Sequence, residues 1–433
     1  MKRPRASCVL AVLAVLLALP GPAAGACTTA VVAGAGSADG RPILWKNRDA
    51  DDHQNQVVYC SDGKYPYIGV VNKADAAGMA IWAGINSQGL AIMNSASYNL
   101  EGAENSVAEG NVMKLALQSC ATVADFQALL ETSNMGGRDV AANFGVIDAK
   151  GGAAYFETDK KSYKRFNADD PAIAPKGYLI RTNFSESGKP GEGAGFVRFK
   201  RASELVEEAV KLKGLDAQSL LKQIARDVAN ARIGSYPMNP RKKNSPAFAY
   251  TADSICRYDT ASCAVFTGVK PGEDAALSTL WVIVGQPVTG VAIPLWVAAG
   301  SVPKEVSVSP DPSPMTAAFD TVREYFYPET KGDLKKYVDA DALSDPKKGL
   351  LPPLLVQEES NFKKAGSALE KWRRQTPSPD EVAGFENDVA AQTLAAVRAI
   401  LEARRKDIPQ PPAPKGPDQP RDRRGVTVSG LQR

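Results

Sequence analysis

The chain has 433 residues, a hydrophobic fraction of 44% and a charged fraction of 23%, which is ordinary globular composition and length enough for two or three domains. The net charge is +4. Three of the 52 basic residues, Lys2, Arg3 and Arg5, lie at the very start, so the remainder carries 49 basic against 48 acidic residues. That balance speaks against a nucleic-acid or membrane-surface protein, whose basic excess would gather on one face. No stretch beyond the N-terminus is apolar for long enough to span a bilayer.

Taken in chain order, residues 1–26 read as a signal peptide. A basic start is followed by the apolar run CVLAVLAVLLAL, then Pro20 and Pro22, then Ala24-Gly25-Ala26. The small-x-small pattern predicts a cut after Ala26, so the mature chain begins at Cys27 in an oxidising environment, periplasmic or extracellular.

Residues 27–33 are β-branched and apolar and predict a strand. An Asp39-Gly40 turn signal follows, and residues 41–49 return as the second arm of a hairpin. Gly34-Ala35-Gly36 superficially resembles a dinucleotide loop, but no helix follows it, so it reads as a hairpin end. Further strands are expected at 78–85, 89–94, 178–182, 264–268 and 278–284. A hairpin is expected over 144–156, turning at Lys150-Gly151-Gly152. Helical spacing appears at 112–120, 122–131, 196–212 and 215–229, with Thr122 placed as an N-cap and Asp125 at its third position. Strands and helical pairs alternating in this way fit sheets covered by helices.

The composition shifts near residue 300. Residues 301–313 are rich in Pro and Ser and read as a linker. Helices are expected at 315–327 and 354–374, and a third from the Ser378-Pro379-Asp380-Glu381 start to about Lys406. The expected organisation is a catalytic domain over 27–300, a helical extension over 301–407, and a disordered Pro- and charge-rich tail over 408–433. The basic runs at Arg241–Lys243 and Arg404–Lys406 read as solvated surface.

Of six cysteines, Cys8 leaves with the leader. Cys60, Cys120, Cys256 and Cys263 are candidates for two disulfides in one of three pairings, which leaves Cys27 free. Cys256 and Cys263 are near enough in sequence to close a small loop, with Cys60 and Cys120 as the second pair. The single histidine, His53, sits in a polar loop, so a Cys-His or Ser-His-Asp enzyme would have to use it, and a His-rich zinc site is excluded by the count. No metal and no cofactor are expected.

A cysteine at a free N-terminus holds a thiol and an α-amine in one residue. The amine, with a pKa near ~8, is neutral often enough to take the thiol proton, which is the nucleophile-plus-base arrangement without histidine. One rival reading is a lipid-anchored binding protein acylated at Cys27. It is disfavoured by Ala24 where a lipobox carries a large aliphatic residue, and by a strand starting at once where a tether belongs. The other rival is a merely structural small residue.

Cys27-Thr28-Thr29, Asp39-Gly40, and Trp45-Lys46-Asn47-Arg48-Asp49 together resemble the start of the choloylglycine hydrolase and isopenicillin N acyltransferase families. Both are linear-amide enzymes of the N-terminal nucleophile superfamily. The resemblance continues through residues 84–94 and 180–184 and covers roughly 27–290. It implies a four-layer αββα sandwich of α+β class, with Cys27 as nucleophile, Asp49 holding the amine and thiol, and Asn94 and Asn183 lining the oxyanion site. It places Lys46, Asn47, Arg48, Arg181 and Ser262 around the substrate or behind the catalytic groups. Asn183 also begins an Asn-Phe-Ser sequon, and a glycan there would block the site, so the sequon reads as chance. Lys46 stands where bile-salt enzymes carry Arg, and the late Ser-Arg pair is reduced to Ser262-Cys263, with Arg257 as a substitute. The implied activity is cleavage of a linear non-peptide amide, with water or an amine taking the acyl group. The substrate is a small molecule, and penicillins, conjugated bile acids, N-acyl amino acids and acyl-homoserine lactones all fit.

Overall fold

The computed structural model describes residues 26–73, 75, 77–102, 106–212, 214–229, 248–309, 311–329 and 331–405. The leader before Ala26, the basic run at 241–243 and the tail from 406 onward lie outside the described residues.

The chain begins with strand β1 (Cys27–Val32), whose residues are all buried, and returns through a short turn as β2 (Ile43–Asp49). Gly40 in that turn has φ of +83°, a conformation L side chains rarely adopt. Then follow β3 (Asn55–Cys60), β4 (Tyr67–Asn72), β5 (Ala83–Asn86) and β6 (Ala91–Ala96). Helices α1 (Ser106–Ser119) and α2 (Val123–Gly136) lead to β7 (Ala142–Ile147), β8 (Ala153–Thr158), β9 (Tyr163–Asn167) and β10 (Tyr178–Arg181). Helix α3 (Phe196–Leu212), a helical turn α4 (Ala217–Ser219) and a π-helical turn at Leu220–Ile224 precede β11 (Phe248–Tyr250), β12 (Thr260–Thr267), β13 (Thr279–Ile283) and β14 (Ile293–Leu295). The C-terminal part holds α5 (Pro314–Phe326), β15 (Tyr337–Asp339), α6 (Ala340–Ser344), α7 (Leu351–Trp372) and α8 (Pro379–Arg404).

Two antiparallel sheets form the centre. One has the order β10-β1-β2-β12-β13-β14 and the other runs β3 to β9 in sequence order. They meet face to face where β1 and β2 oppose β6 and β7. Gly145 permits the close approach: a Cβ there would stand 2.9 Å from Val31 Cγ2 and 3.1 Å from Leu44 Cδ1. Helices α1 and α2 cover the outer face of the seven-stranded sheet, burying Met113, Leu117, Phe126 and Leu130 with Ile92, Val146 and Phe156. The outer face of the other sheet is covered by α3 and the C-terminal helices. The layers are therefore α, β, β, α, the sandwich expected.

Thr122 caps α2 as expected, accepting from Asp125 N while Asp125 caps back. Ser378 caps α8 with Pro379 at its first position. Strands β3, β4, β9, β11, β14 and β15 were not anticipated, and 78–85 is a strand only from Ala83. Ile81, just before it, fills the gap at Gly69 and Gly84, while Trp82 N already donates to Val70 O (2.9 Å). The helix expected over 215–229 shrinks to α4 and the π turn. It stops because the Ala225 carbonyl turns to accept from Asn47 Nδ2 (2.8 Å) and the Asp227 carboxylate pairs with Arg201.

The stretch read as a linker is docked: Val57 N donates to Val306 O, and Val306 is buried. The C-terminal helices share one continuous core with the six-stranded sheet, including Phe319, Val322, Leu354, Val389 and Val397 beside Val32, Trp281 and Leu295. At the seam Arg226 donates to both oxygens of Glu358 on α7 (2.7 and 2.6 Å). Asn361 Nδ2 donates to the Ala292 carbonyl (3.0 Å).

Cys60, Cys120, Cys256 and Cys263 are all free thiols, which corrects the expectation of two disulfides. Burial pushes each of these thiols up, Cys256 to about 12, so they sit protonated as small core residues.

Candidate active site

Register builds the site around the first residue of β1. Cys27 pairs with Arg48, Thr29 with Lys46, and Arg48 with Ser262. Paired residues on neighbouring strands project to the same side, so Cys27, Lys46, Arg48 and Ser262 share the face turned to the other sheet. Lys46 confirms the direction, since its Nζ donates to Trp82 O (2.8 Å) and to Asn94 Oδ1 (2.6 Å) across the gap. Alternation along β2 sends Asn47 and Asp49 to the opposite face.

Cys27 is 5% exposed. Its backbone nitrogen is a peptide nitrogen joined to buried Ala26. That nitrogen donates to Asn183 Oδ1 at 3.0 Å. Asn183 is fixed from behind: its Nδ2 donates to Ala96 O (2.9 Å), and its Oδ1 also accepts from Arg198 Nη2 (2.7 Å). Arg198, on the buried face of α3, further donates to the Cys27 carbonyl and to Thr28 Oγ1 (3.0 Å). Asn183 thus shows its oxygen, not its N–H, to Cys27.

Asp49 is buried. Its Oδ1 accepts from Thr260 Oγ1 (2.7 Å), Arg257 Nη1 stands 3.8 Å from Oδ2, and Oδ2 has no hydrogen-bond partner. Burial lifts its carboxyl to about 6 against the pull of Arg257 and Arg198. Arg257, the substitute considered for the late arginine, is the cation beside Asp49.

On the facing sheet, Asn94 is held between Lys46, whose ammonium its Oδ1 accepts, and Glu109 on α1, to which its Nδ2 donates. Burial raises Glu109 to about 8 and lowers Lys46 to about 8. Arg48 donates to Asn55 Oδ1 (3.0 Å) and lies 4.6 Å over the Trp82 ring, while Ser262 Oγ donates to the same Asn55 oxygen (2.7 Å).

Two expected site residues are placed elsewhere. Asn47 is a strut that donates to Ala225 O and Ile255 O and accepts from Trp45 Nε1. Arg181 pairs with Glu157 (2.7 Å), which also receives Glu186 N and Ser187 N, so it anchors the segment after Asn183. His53 is no general base: burial and Arg323 hold its imidazole down to about 3, and its polar neighbour is Arg323.

Sequence reasoning missed Arg198, Glu109, Asn55 and Thr260. Arg198 had a legible signal, since it shares a helical stripe with Ala202 and Val206, both fully buried. A lone Arg on an apolar stripe needs a buried partner. Glu109 and Asn55 had no signal beyond polar residues beside apolar ones.

Among the described residues no group of three or more His, Cys, Asp or Glu side chains is arranged to hold a metal ion, and no helix is long and apolar enough to cross a membrane.

Residues 37–213 match the family described as acyl-coenzyme A:6-aminopenicillanic acid acyl-transferase. The matched stretch takes in Lys46–Asp49, Asn94, Asn183 and Arg198. It begins after Cys27 and ends before Arg257 and Ser262. Among solved structures the chain is similar to a mutant of conjugated bile acid hydrolase from Clostridium perfringens (11% identity, 60% of this chain and 89% of that one, TM-score 0.35). It is also similar to a Caenorhabditis elegans N-acylethanolamine-hydrolyzing acid amidase ortholog (15% identity, 55% and 92%, TM-score 0.35). A third is penicillin V acylase from Agrobacterium tumefaciens (12% identity, 62% and 85%, TM-score 0.34). No curated protein matches the sequence. The resemblance to the N-terminal nucleophile hydrolases read from the sequence thus has its counterpart in the family match.

Proposed function

We propose that this chain, with the αββα fold and the acyl-transferase family match of an N-terminal nucleophile enzyme, is exported and cleaves a linear amide through a thioester at Cys27. The observation that carries this reading is the hydrogen bond from Cys27 N to Asn183 Oδ1 (3.0 Å) at the head of a central strand. The backbone nitrogen of one particular residue is gripped by a buried side chain that Arg198 and Ala96 hold in turn.

Removal of residues 1–26 turns that nitrogen into an α-amine. Asn183 Oδ1 orients it, and Asp49 supplies a buried negative charge with one oxygen still unpartnered. The neutral amine takes the thiol proton, and the sulfur attacks the substrate carbonyl carbon. The tetrahedral oxyanion collapses to a thioester as the amine leaves with the proton returned by the Cys27 ammonium. Water, or a second amine, then attacks the thioester and restores the thiol. Lys46 on the same face supplies the positive charge in whose field the oxyanion forms.

The lipid-anchor reading fits this geometry poorly. A tethered, acylated cysteine needs access to a lipid surface, whereas Cys27 is buried and its carbonyl and nitrogen are both bound. The test is an amide panel, spanning acyl-glycines, acyl-ethanolamines, penicillins and acyl-homoserine lactones, run on wild type, Cys27→Ser and Cys27→Ala. The Ala variant should be inactive and the Ser variant severely impaired. Full activity in the Ala variant refutes the assignment.

A further inference from the structure

Among the described residues several buried arginines are fully partnered, whereas the one beside the nucleophile, Arg48, is not. Arg226 has both oxygens of Glu358 and three carbonyls. Arg181 has Glu157. Arg198 makes three hydrogen bonds and lies near Asp49. Arg48, only 7% exposed, makes a single hydrogen bond, to the neutral Asn55 amide oxygen, and rests on the Trp82 ring. Among the described residues no carboxylate lies within ion-pairing distance of it. A buried guanidinium without an anion is costly.

The rest of its hydrogen-bonding capacity is not sealed away. The buried nitrogens without partners among the described residues include Arg257 Nε and Arg323 Nη1, but none of Arg48. Its remaining N–H groups are therefore not sealed in, and the side chain lies on the face it shares with Cys27, its register partner on β1. The pose is also held firmly. Asn55 is fixed by the Ser262 hydroxyl, and its carbonyl accepts from Thr316 Oγ1 on α5 (2.9 Å), so the C-terminal extension helps to aim Arg48. The ammonium of Lys46 lies on the same face, the charges of Asp52 and Asp49 reach Arg48 only at a distance, and burial keeps Glu109 largely protonated at neutral pH.

We infer that Arg48 is a specificity residue that binds an anionic group of the substrate, a carboxylate or sulfonate a few bonds from the scissile amide. The inference rests on the cysteine amidase reading above and adds the charge of the molecule it takes. Arg rather than Lys suits the task, because a guanidinium fork meets a carboxylate with two parallel bonds. The anion sits in place of the missing protein carboxylate, so a neutral analogue leaves the guanidinium unpaired and is rejected.

The test uses the processed full-length enzyme and two matched substrate pairs. One is N-phenylacetylglycine against N-phenylacetylglycinamide, with the charge on the amine side. The other is glutaryl-4-nitroanilide against its monoamide, with the charge on the acyl side. Wild type should favour the anionic member of one pair in kcat/KM by about tenfold or more, the worth of a charge-assisted hydrogen bond. The pair that shows the preference identifies the side. Arg48→Met should abolish the preference, chiefly through KM, and Arg48→Lys should keep part of it. A preference in neither pair, or one that survives Arg48→Met, overturns the inference. In parallel, the Cys27→Ala protein should bind the preferred anionic member at least about tenfold more weakly once Arg48→Met is added. That binding arm does not depend on turnover. Loss of all hydrolysis with Arg48-dependent binding intact therefore counts against the cysteine mechanism and not against Arg48.

Discussion

Replacing Glu358 should unfold much more than a surface contact would suggest. Its partner Arg226 is wholly buried (side chain 0% exposed, against 3% for Glu358), and the pair is bidentate. Glu358 Oε2 also accepts from Ala292 N (2.8 Å). Glu358→Ala strands a guanidinium in the core and orphans a backbone N–H. Breaking a buried pair from one side costs about 3–5 kcal/mol, a large part of a typical total stability of about 5–15 kcal/mol. Arg226 follows Ala225, whose carbonyl holds Asn47 of β2, so the loss should reach the site as a lower kcat. Urea unfolding followed by tryptophan fluorescence measures the stability change, and amide hydrolysis measures the functional one. The double variant Arg226→Met with Glu358→Leu removes both charges. It should recover part of the loss, because the Ala292 N–H, worth about 1–3 kcal/mol, and the Leu221, Pro287 and Gly290 carbonyls are left without their partners. A Glu358→Ala protein within about 1 kcal/mol of wild type would refute the claim that this pair locks the extension to the core.

Three further outcomes follow from the site. If an ionised Asp49 supplies the negative charge that supports the amine, kcat/KM should rise with pH through about 6; because Arg257 pulls that value down, Arg257→Gln should move the rising limb to higher pH, and an unmoved limb would remove Asp49 from the pH control. Arg198→Met removes charge-assisted bonds to the Cys27 carbonyl and Asn183, each worth about 1.5–3 kcal/mol, so kcat should fall at least about tenfold with substrate KM changed much less. Thiol titration of the unreduced, denatured processed protein should count five free cysteines, one of them Cys27, and a count of one would restore the two disulfides.

Much of the fold was legible because its signals are local. The β1–β2 hairpin, α2 with its Thr122–Asp125 cap, and α8 with Ser378-Pro379 follow from patterns spanning a few residues. Strands β3, β4 and β9 were not legible, since their pairing partners, not their composition, decide them. The π turn after Ser219 was hidden for a similar reason: helical spacing continues to Ala229, and only Asn47, some 178 positions away, claims the Ala225 carbonyl. The proposed nucleophile rests on local features, a leader pattern and the cysteine that follows it. Cys27, Lys46 and Arg48 then share a face by strand alternation alone. What the pattern misassigned was Asn47 and Arg181, whose neighbours belong to the distant segments 225–255 and 157–187. The disulfides failed because counting cysteines says nothing of geometry. Arg198 and Glu109 act across layers, which no short motif reports.

The proposed mechanism requires a chain that starts at the sulfur-bearing residue. N-terminal sequencing and intact mass of the protein recovered after expression with its native leader answer this directly. The expected result is an unblocked first residue Cys27 whose thiol is stoichiometrically trapped by an amide-derived acylating probe. A chain that starts at any other position, or a Cys27 whose amine carries an acyl group, would contradict it.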